Sequence, residues 1–353
     1  MPAARIAAIA AEPFHTPLHN PFVTSQGSTL AARAVAIHLT LEDGRTARGE
    51  SVPVMYVTGE TRESVLAAVE RATPELVGLD VIRYRQALNV IGRMLPEAPS
   101  ARCGLEMAVL DAWAQTTGGT LWGLWGAAQD SMESDITIPM VPNAGELARL
   151  AWELGIRVFK IKVGEADAEA DHARVLAVHE SVQEAPIRID ANQAFTPEGA
   201  LRFVERLLSE GVNVQLLEQP VKKEDVEGLA AVAARSPVPV FADESARTPA
   251  QALRLATTTP VHGFNLKINK NGIAGVLDII AIARAADRRL MLGCMLETRR
   301  SIAVSLALAC GTGAFEFIDL DSHLLLMEAD ENAYFHQEGG RMTLASSTER
   351  ASE

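Results

Sequence analysis

The chain of 353 residues has few of the features that mark several protein classes. Aromatic residues make up 5% of it, and its three cysteines, Cys103, Cys294 and Cys310, show no spacing typical of a metal site or a disulfide framework. Cysteines used in this way fit a reducing compartment, so we expect a cytoplasmic protein. No apolar run reaches the roughly 18 residues that a membrane-spanning helix needs. Glu12 interrupts the short apolar patch at the amino end, and a signal peptide is therefore not predicted.

The sequence also lacks basic runs. Its formal net charge is −13, and no stretch interleaves basic with aromatic residues, so neither nucleic acid nor an anionic membrane is an expected partner. No glycine-rich phosphate loop follows a predicted strand, which argues against a nucleotide-binding fold. The acidic balance fits a cation site or, more commonly, an ordinary solvated surface, so charge alone does not decide between them. A homo-oligomer is compatible with the sequence, which does not define the oligomeric state.

The first 125 or so residues mix strand and helix patterns. Residues 33–44 alternate apolar and polar side chains up to an Asp-Gly pair, which predicts a hairpin. Residues 61–76 begin at a threonine and repeat apolar side chains at helical spacing, and residues 103–115 repeat that pattern. Together these patterns predict an α+β region.

Beyond about residue 134, short apolar runs alternate with helical stretches rich in Ala, Leu, Glu and Arg. Eight strand–helix units in one chain predict an α/β fold of the (β/α)₈ barrel type. An open doubly wound sheet is the alternative, although it usually has fewer strands. The eight runs are residues 135–140, 157–163, 186–190, 214–218, 238–243, 263–268, 289–294 and 315–320.

Three consecutive runs end in a carboxylate: Asp190, Glu218 and Asp243. The carboxyl ends of parallel barrel strands gather at one mouth, so we expect these side chains to lie close together. Three unpaired carboxylates would repel one another there, and a hard cation such as Mg²⁺, which prefers oxygen ligands, removes that repulsion. The alternative is that each acid caps a helix or pairs with a loop arginine.

Lysines flank the same strand ends. Lys160 and Lys162 point to one face of the second strand because strand side chains alternate, and Lys267 lies on the sixth strand across the barrel. We expect Lys162 and Lys267 to reach a bound substrate from two sides, with the like charge of Lys160 lowering the pKa of its neighbour. Lys270, just past the strand, is expected to be solvated. Plain salt bridges between lysines and carboxylates are the alternative.

This arrangement predicts proton transfer at one carbon. A carboxylate substrate bound to the metal would lose its α-proton to one lysine, and the metal would stabilise the resulting ene-diolate. The second lysine, being protonated, would return a proton to the opposite face and invert the stereocentre. Two bases on opposite faces are what a racemase or epimerase requires, whereas a dehydratase needs an acid at its leaving group.

Five short motifs carry these residues: K-x-K at 160–162, D-x-N at 190–192, LLEQP at 216–220, ADES at 242–245 and NLK at 265–267. In combination they resemble the motifs of the enolase superfamily, muconate-lactonizing subgroup. The pairing of a lysine base with Mg²⁺ is already described for this superfamily.

The resemblance implies a modified (β/α)₇β TIM barrel at residues 126–321. It implies an α+β capping domain built from residues 1–125 and completed by the tail, residues 322–353. It further implies one Mg²⁺ per subunit.

The implied roles follow the motifs. The metal ligands are Asp190, Glu218 and Asp243, and the two acid/bases are Lys162 and Lys267. Lys160 assists catalysis by contacting the substrate carboxylate. The substrate-binding residues are Thr137, Lys160, Asn192, Met295, Asp319, Asp321, Phe22 and Tyr56.

Residues of the eighth predicted strand distinguish between the activities found in the subgroup. Asp319 and Asp321 lie on one face by alternation, and two carboxylates without an assigned metal suit a substrate ammonium group. This D-x-D resembles that of dipeptide epimerases, where it holds the free N-terminus of a dipeptide. An acidic loop without a ligand is the alternative.

We therefore expect an isomerase, a Mg²⁺-dependent dipeptide epimerase acting on the α-carbon of the C-terminal residue. Ala-Glu epimerases carry an arginine in the first capping loop, but residues 20–29 contain none. Phe22, Val23, Met55 and Tyr56 indicate a hydrophobic or aromatic C-terminal side chain instead.

Two other readings stay open. One is an N-succinylamino acid racemase, an o-succinylbenzoate synthase or a muconate-type cycloisomerase with the same metal and lysines. The other is a carboxylate-binding barrel without catalytic activity. The D-x-D pair argues against the first, and the retention of all five metal and lysine positions argues against the second.

Overall fold

The computed structural model describes residues 4–24, 27–165, 167–327 and 334–345. Ser25 and Gln26 of the first capping loop and the last eight residues of the tail lie outside the described residues. In the part of the chain that is described, no helix combines the length and apolarity needed to cross a membrane.

An antiparallel sheet opens the chain. Its strands, in spatial order, are β1 (Ile6–Thr24), β2 (Gly27–Leu41) and β3 (Thr46–Ser51). The turn between β2 and β3 contains Asp43 and Gly44, as the predicted hairpin requires. Alternate residues of β2 are fully buried against the helices that follow, which is the consequence of its period of two.

The helices that follow are α1 (Met55–Thr58), α2 (Arg62–Leu76), α3 (Tyr84–Met94), α4 (Pro99–Thr117) and α5 (Leu121–Leu124), with a 3₁₀ turn at Val81–Arg83. Of these, α2 and α4 pack on the sheet. The predicted start of α2 is confirmed, since Thr61 caps it and exchanges hydrogen bonds with Ser64. Gly118 ends α4 in the left-handed conformation, as expected for a helix stop.

A short strand, β4 (Ser131–Glu133), precedes eight parallel strands in which each pairs with the next along the chain. The eight are β5 (Ile136–Ile138), β6 (Phe159–Lys162), β7 (Ile187–Asp190), β8 (Val214–Glu218), β9 (Val240–Ala242), β10 (Gly263–Leu266), β11 (Arg289–Gly293) and β12 (Phe317–Asp319). A parallel bridge between Ser134, two residues before β5, and Ile318 of β12 brings the two ends of the sheet together. The sheet is therefore a nearly closed barrel.

Helices follow the barrel strands around the outside. They are α6 (Ala144–Glu153), α7 (Ala168–Ser181), α8 (Pro197–Ser209), α9 (Val226–Arg235), α10 (Pro249–Thr258), α11 (Ile268–Asn271), α12 (Ile273–Ala285) and α13 (Arg299–Thr312). Their apolar faces and the outward residues of the strands form the main core. Inside the barrel lies a separate small layer of Leu216, Phe241, Met291 and Phe317.

The carboxyl-terminal residues contact both parts of the molecule. After a 3₁₀ turn at Ser322–Leu324, Leu326 bridges to Leu18 of β1. The hairpin of β13 (Phe335–Glu338) and β14 (Arg341–Leu344) pairs with β4 below the barrel.

This architecture confirms the predicted fold class, an eight-stranded parallel barrel with an α+β capping domain. Each of the eight predicted runs contains one barrel strand, and the open doubly wound sheet is wrong because the two ends of the sheet come together. The domain boundaries at 125/126 and 321/322 stay a prediction.

Two glycines allow α4 to lie against β3. A methyl group added at Gly49 would stand 1.9 Å from the carbonyl oxygen of Gly104, and one added at Gly104 would stand 2.3 Å from Oγ of Ser51. The obstacles include backbone atoms, which cannot move aside locally. This contact sets the depth at which α4 packs on the sheet.

We expect Gly49→Ala to lower the free energy of unfolding by about 1–3 kcal/mol, because α4 must move off the sheet. Gly92→Ala in α3 is the matched control, since its added methyl group meets open space and should stabilise the helix by roughly 1 kcal/mol. Urea unfolding followed by circular dichroism measures both. An unchanged midpoint for Gly49→Ala would contradict the packing argument.

Candidate active site

The three strand-end carboxylates lie at one mouth of the barrel. Asp190 and Glu218 are the last residues of β7 and β8 and are register partners, while Asp243 directly follows β9. All three side chains are buried. Burial raises the pKa of Glu218 to about 8, and the negative charge of Asp190 adds to the rise.

The ammonium group of Lys160 stands among carboxylates. Its Nζ lies 3.1 Å from Asp190 Oδ2, 2.8 Å from Glu218 Oε2 and 2.8 Å from Asp319 Oδ2. Burial favours the neutral amine, but these three negative charges raise the pKa of Lys160 well above its ordinary value. Lys160 is therefore a fixed cation at the base of the site.

Lys162, two residues along β6, reaches the same mouth from one side. Its Nζ donates to Asp190 Oδ2 at 2.6 Å and to Asn192 Oδ1 at 2.9 Å. Asn192 has a φ of 40°, a left-handed conformation that non-glycine residues adopt at a cost. The strained turn after β7 thus places an amide oxygen against the predicted base.

Lys267 reaches the mouth from the end of β10, across the barrel from β6, and its Nζ lies 2.8 Å from Asp243 Oδ2. Lys270 was expected to be solvated, and this is wrong. It is fully buried and donates to Asp243 Oδ1 at 2.5 Å and to the Asn265 carbonyl at 2.7 Å. The turn of α11 brings it back beneath Lys267, so two cations hold one carboxylate.

The expected effect of Lys160 on its neighbour through like charge stays a prediction. Burial lowers the pKa of Lys267, but the charge of Asp243 outweighs it and raises the pKa above the ordinary value. In the same way, lysine charges hold the pKa of Asp190 below its usual value against the effect of burial. Carboxylates, rather than neighbouring lysines, govern the protonation of this site.

These residues fit a divalent cation on two grounds. Oε2 of Glu218 is buried and, among the described residues, accepts no hydrogen bond of suitable geometry, although the ammonium of Lys160 lies 2.8 Å away, whereas Oε1 accepts a hydrogen bond from Asn265 at 2.7 Å. In addition, the buried carboxylates exceed the buried cations here by two, which a divalent ion would neutralise. The carboxylates are Asp135, Asp190, Glu218, Asp243, Glu244, Asp319 and Asp321, and the cations are Lys160, Lys162, Arg188, Lys267 and Lys270.

A cavity of about 350 Å³ opens above the lysines. Every residue predicted to be catalytic or to bind substrate lines it, whereas the three predicted metal ligands lie beneath its floor. The lining residues from the prediction are Phe22, Tyr56, Thr137, Lys160, Lys162, Asn192, Lys267, Met295, Asp319 and Asp321.

The D-x-D pair lies in the wall of this cavity formed by β12 and β5. Asp321 Oδ2 accepts a hydrogen bond of 2.6 Å from the amide of Thr137, which explains why Thr137 belongs to the site. Burial, and then the charge of Asp319, raise the pKa of Asp321 to about 6. Burial acts in the same direction on Asp319, but the ammonium of Lys160 lowers the pKa of Asp319 far below its usual range.

The capping domain supplies the opposite wall. Phe22, Met55 and Tyr56 line it with apolar and aromatic surface, as predicted from the two loops. Val23 is not among the lining residues. Arg33 of β2 also lines the cavity, although the sequence pointed to no cation from this domain.

Hydrogen bonds connect the capping domain to α11, the short helix that directly follows Lys267. Asn269 of α11 is fully buried, and its Oδ1 accepts a 2.8 Å hydrogen bond from the amide of Val52. Its carbonyl accepts another, of 3.1 Å, from Ser100 Oγ. The loop that carries Met55 and Tyr56 therefore has a fixed position relative to the predicted base.

Sequence reasoning missed several residues of the site. Arg33 follows the first loop by only a few residues, and the alternation of β2 could have placed it on the cavity side. Lys270 lies three residues after Lys267, a helical spacing that returns it to the same side. Arg188 carried no signal beyond its place in a strand between two apolar residues.

Comparisons with known proteins agree with this geometry. The family model "Enolase C-terminal domain-like" matches residues 143–347, and the model "Mandelate racemase / muconate lactonizing enzyme, N-terminal domain" matches residues 6–126. The aromatic dipeptide epimerase of Herpetosiphon aurantiacus is 37% identical over 342 residues, which is 96% of either chain. The L-Ala-D/L-Glu epimerase of Thermotoga maritima is 38% identical over 91% of this chain and 93% of that one.

Solved structures show the same likeness. A dipeptide epimerase from Enterococcus faecalis V583, complexed with Mg and the dipeptide L-Leu-L-Tyr, superimposes with a TM-score of 0.91, at 30% identity over 97% of each chain. Matches of this extent, over both the barrel and the capping domain, show common ancestry. The chain belongs to the mandelate racemase/muconate lactonizing enzyme family of the enolase superfamily.

Proposed function

We propose that the protein is a Mg²⁺-dependent dipeptide epimerase that inverts the α-carbon of the C-terminal residue. One observation carries the proposal: Lys162 and Lys267 enter a single cavity from opposite sides of the barrel, with a carboxylate pair, Asp319 and Asp321, in its wall. Relatives at 37% and 38% identity are named as dipeptide epimerases, which supports it.

Each lysine has a task that its position defines. One takes the α-proton from its own face of the substrate, and the other delivers a proton to the opposite face, so the configuration inverts. Lys160 is too strongly held as a cation to act as a base, and it serves the substrate carboxylate as a fixed positive charge.

Asp190, Glu218 and Asp243 would hold the Mg²⁺, and the ion's octahedral preference for oxygen ligands suits them. When bound, the ion neutralises the carboxylates that now keep the lysines protonated and draws negative charge onto the substrate carboxylate. The relatives solved with Mg support this assignment.

Asp319 and Asp321 account for the choice of a dipeptide. A free amino terminus brings an ammonium group that two buried carboxylates bind by charge-assisted hydrogen bonds. An N-succinyl amino acid or a muconate would instead place a neutral or negative group there, which gains no ion pair with the two carboxylates and, if negative, is repelled by them. The racemase, synthase and cycloisomerase readings are disfavoured for this reason.

The apolar capping wall supports a hydrophobic or aromatic C-terminal residue. Phe22, Met55 and Tyr56 offer no charge to a substrate side chain, and relatives that are named for aromatic or hydrophobic dipeptides are similar over most of the chain. Arg33 favours a second candidate, an acidic side chain. Arg33 lines the cavity, and its guanidinium has no ion-pair partner in the described part of the chain.

Two further assignments belong to the proposal. The division into a capping domain at 1–125, a barrel at 126–321 and a completing tail follows the family pattern. A cytoplasmic location is supported by the three free cysteines, of which Cys103 and Cys310 are buried.

Replacement of the predicted metal ligand Glu218 should affect Mg²⁺ binding and the pH dependence of folding stability in different ways. The pKa of Glu218 in the folded, metal-free protein is about 8, above its ordinary 4.5, so the folded state keeps a proton that the unfolded chain releases. Its contribution to stability is therefore lost as the pH rises from 4.5 to 8. We expect Glu218→Gln to reduce this loss, while abolishing both the heat of Mg²⁺ binding and the increase in Tm with Mg²⁺.

Glu106→Gln is the control for this experiment, since Glu106 is equally buried but lies on α4, where it accepts hydrogen bonds from the start of α12. Calorimetry and thermal melts on both variants measure the effect. An unchanged Mg²⁺ affinity in Glu218→Gln would contradict the metal assignment.

The two-base mechanism predicts where deuterium enters. In D₂O with Mg²⁺, a panel of L,L-dipeptides should incorporate deuterium only at the C-terminal α-position, with loss of configuration there. Lys162→Ala and Lys267→Ala should each lower epimerisation by at least about a thousandfold, because each removes one of the two proton carriers. Proton NMR follows both processes.

Lys222→Ala, at an exposed position outside the cavity, should retain the wild-type rate. Exchange of N-succinyl amino acids without exchange of dipeptides would favour the racemase. Mg²⁺ binding without exchange on any substrate would favour the non-catalytic barrel.

Arg33 decides between the two side-chain classes. If aromatic residues are preferred, L-Ala-L-Phe should exchange faster than L-Ala-L-Glu, and Arg33→Met should leave the L-Ala-L-Phe rate within about twofold. If acidic residues are preferred, Arg33→Met should reduce kcat/KM for L-Ala-L-Glu by at least about tenfold, because the side-chain carboxylate loses its partner. Arg202→Met, exposed on α8, controls for the loss of a positive charge.

A further inference from the structure

A buried arginine lies on the barrel axis beneath the site. The guanidinium of Arg188, on β7, packs 4.6 Å from the ring centroid of Phe317 in the internal apolar layer. Its Nη1 donates to the Ile318 carbonyl at 2.9 Å, and its Nε donates to Gln215 Oε1 at 2.7 Å. Arg188 is 2% exposed, so its charge is held inside the protein.

A buried guanidinium requires a counter-ion, and Asp135 is placed to be one. Asp135 Oδ2 accepts a hydrogen bond of 2.7 Å from Nη1 of Arg188. Burial and the charge of Asp319 raise the pKa of Asp135, while Arg188 stabilises its anion. Arginine stays protonated, and a neutral Asp135 would leave that charge without a directly paired carboxylate, which is costly.

Asp135 also adjoins the D-x-D pair. Oxygens of Asp135, Asp319 and Asp321 all lie within 4.8 Å of one another. Arg188 therefore has three carboxylates close by and is hydrogen-bonded to one of them. A second metal ion is a poor occupant for this trio, because the guanidinium would repel it.

We propose that Asp135 is a positioning residue, the dedicated counter-ion of Arg188, which frees the D-x-D pair from that role. Asp319 is already bound by Lys160, so Asp321 carries the charge that is available to the substrate ammonium group. Without Asp135, the unpaired guanidinium would offset that charge, and the amino terminus of a dipeptide would meet a weakened partner. The selectivity for a free amino group thus depends on a residue that lines no part of the cavity. This inference rests on the proposed function.

The test compares a dipeptide with the same molecule lacking its ammonium group. L-Ala-L-Phe and propanoyl-L-Phe are the probes, with Mg²⁺ present, in calorimetric binding and in D₂O exchange. The wild type should prefer the dipeptide, and Asp135→Asn should reduce that preference by at least about tenfold, mainly through Kd and KM, with a smaller change in kcat.

A second variant distinguishes electrostatics from lost packing. In the double variant Asp135→Asn, Arg188→Met, the charge that Asp135 neutralised is gone, so the preference should return to within about threefold of the wild type. A merely structural role for Asp135 would leave the double variant as impaired as the single one. Failure to recover the preference in a folded double variant would overturn the proposal.

Asp171→Asn is the matched control. Asp171 is buried and its Oδ1 lies 2.7 Å from Nη1 of Arg174, the same kind of pair on α7 outside the cavity. The Asp171→Asn variant should have a lower Tm but an unchanged preference for the substrate with an ammonium group. An unchanged preference in Asp135→Asn would also overturn the inference, even if the double variant failed to fold.

The proposed function and the role of Asp135 can be rejected separately. Absence of exchange on every dipeptide by the wild type would reject the proposed function itself. Dipeptide exchange by the wild type, combined with an unaltered preference in Asp135→Asn, would reject only the role of Asp135.

Discussion

The burial of charge at the mouth of the barrel is the constraint on which the rest of this molecule depends. Carboxylates at the ends of neighbouring strands cannot lie together in a low-dielectric interior unless cations separate them. Lysines provide that separation, and Lys160 shares its ammonium among Asp190, Glu218 and Asp319. The excess of negative charge that remains defines a place for a divalent ion. The same buried charges therefore affect both the stability of the fold and the proposed binding of the metal.

The capping domain has a different part in the site, because it lines the side of the cavity that faces the substrate side chain in the proposed function. Its two loops and β2 contribute the apolar wall and Arg33, while the barrel contributes the lysines and carboxylates at the floor. In the proposed function, chemistry and selectivity are thereby carried by separate parts of the chain. The D-x-D pair is the exception, because it lies on the barrel and would select by charge.

Much of this arrangement could be predicted from periodicity. The barrel strands alternate strictly, so the inward direction of Lys160 and Lys162, and the meeting of Asp190 with Glu218, follow from a period of two and parallel register. Lys270 could not be placed by that rule, because the chain leaves the strand at Lys267 and turns into α11. The protonation states of the lysines are still harder to predict from the sequence. The lysine pKa values depend on the number of carboxylates around each ammonium, which is a property of the three-dimensional arrangement.

The link between Val52 and Asn269 has a consequence for how such proteins diversify. On the capping side it uses a main-chain amide, which any residue except proline provides, while the side chain that accepts the bond belongs to the barrel. Substitutions of Val52, other than to proline, can therefore occur without loss of this hydrogen bond. The dipeptide specificity of such enzymes can therefore change during evolution while the acid–base residues of the barrel stay the same.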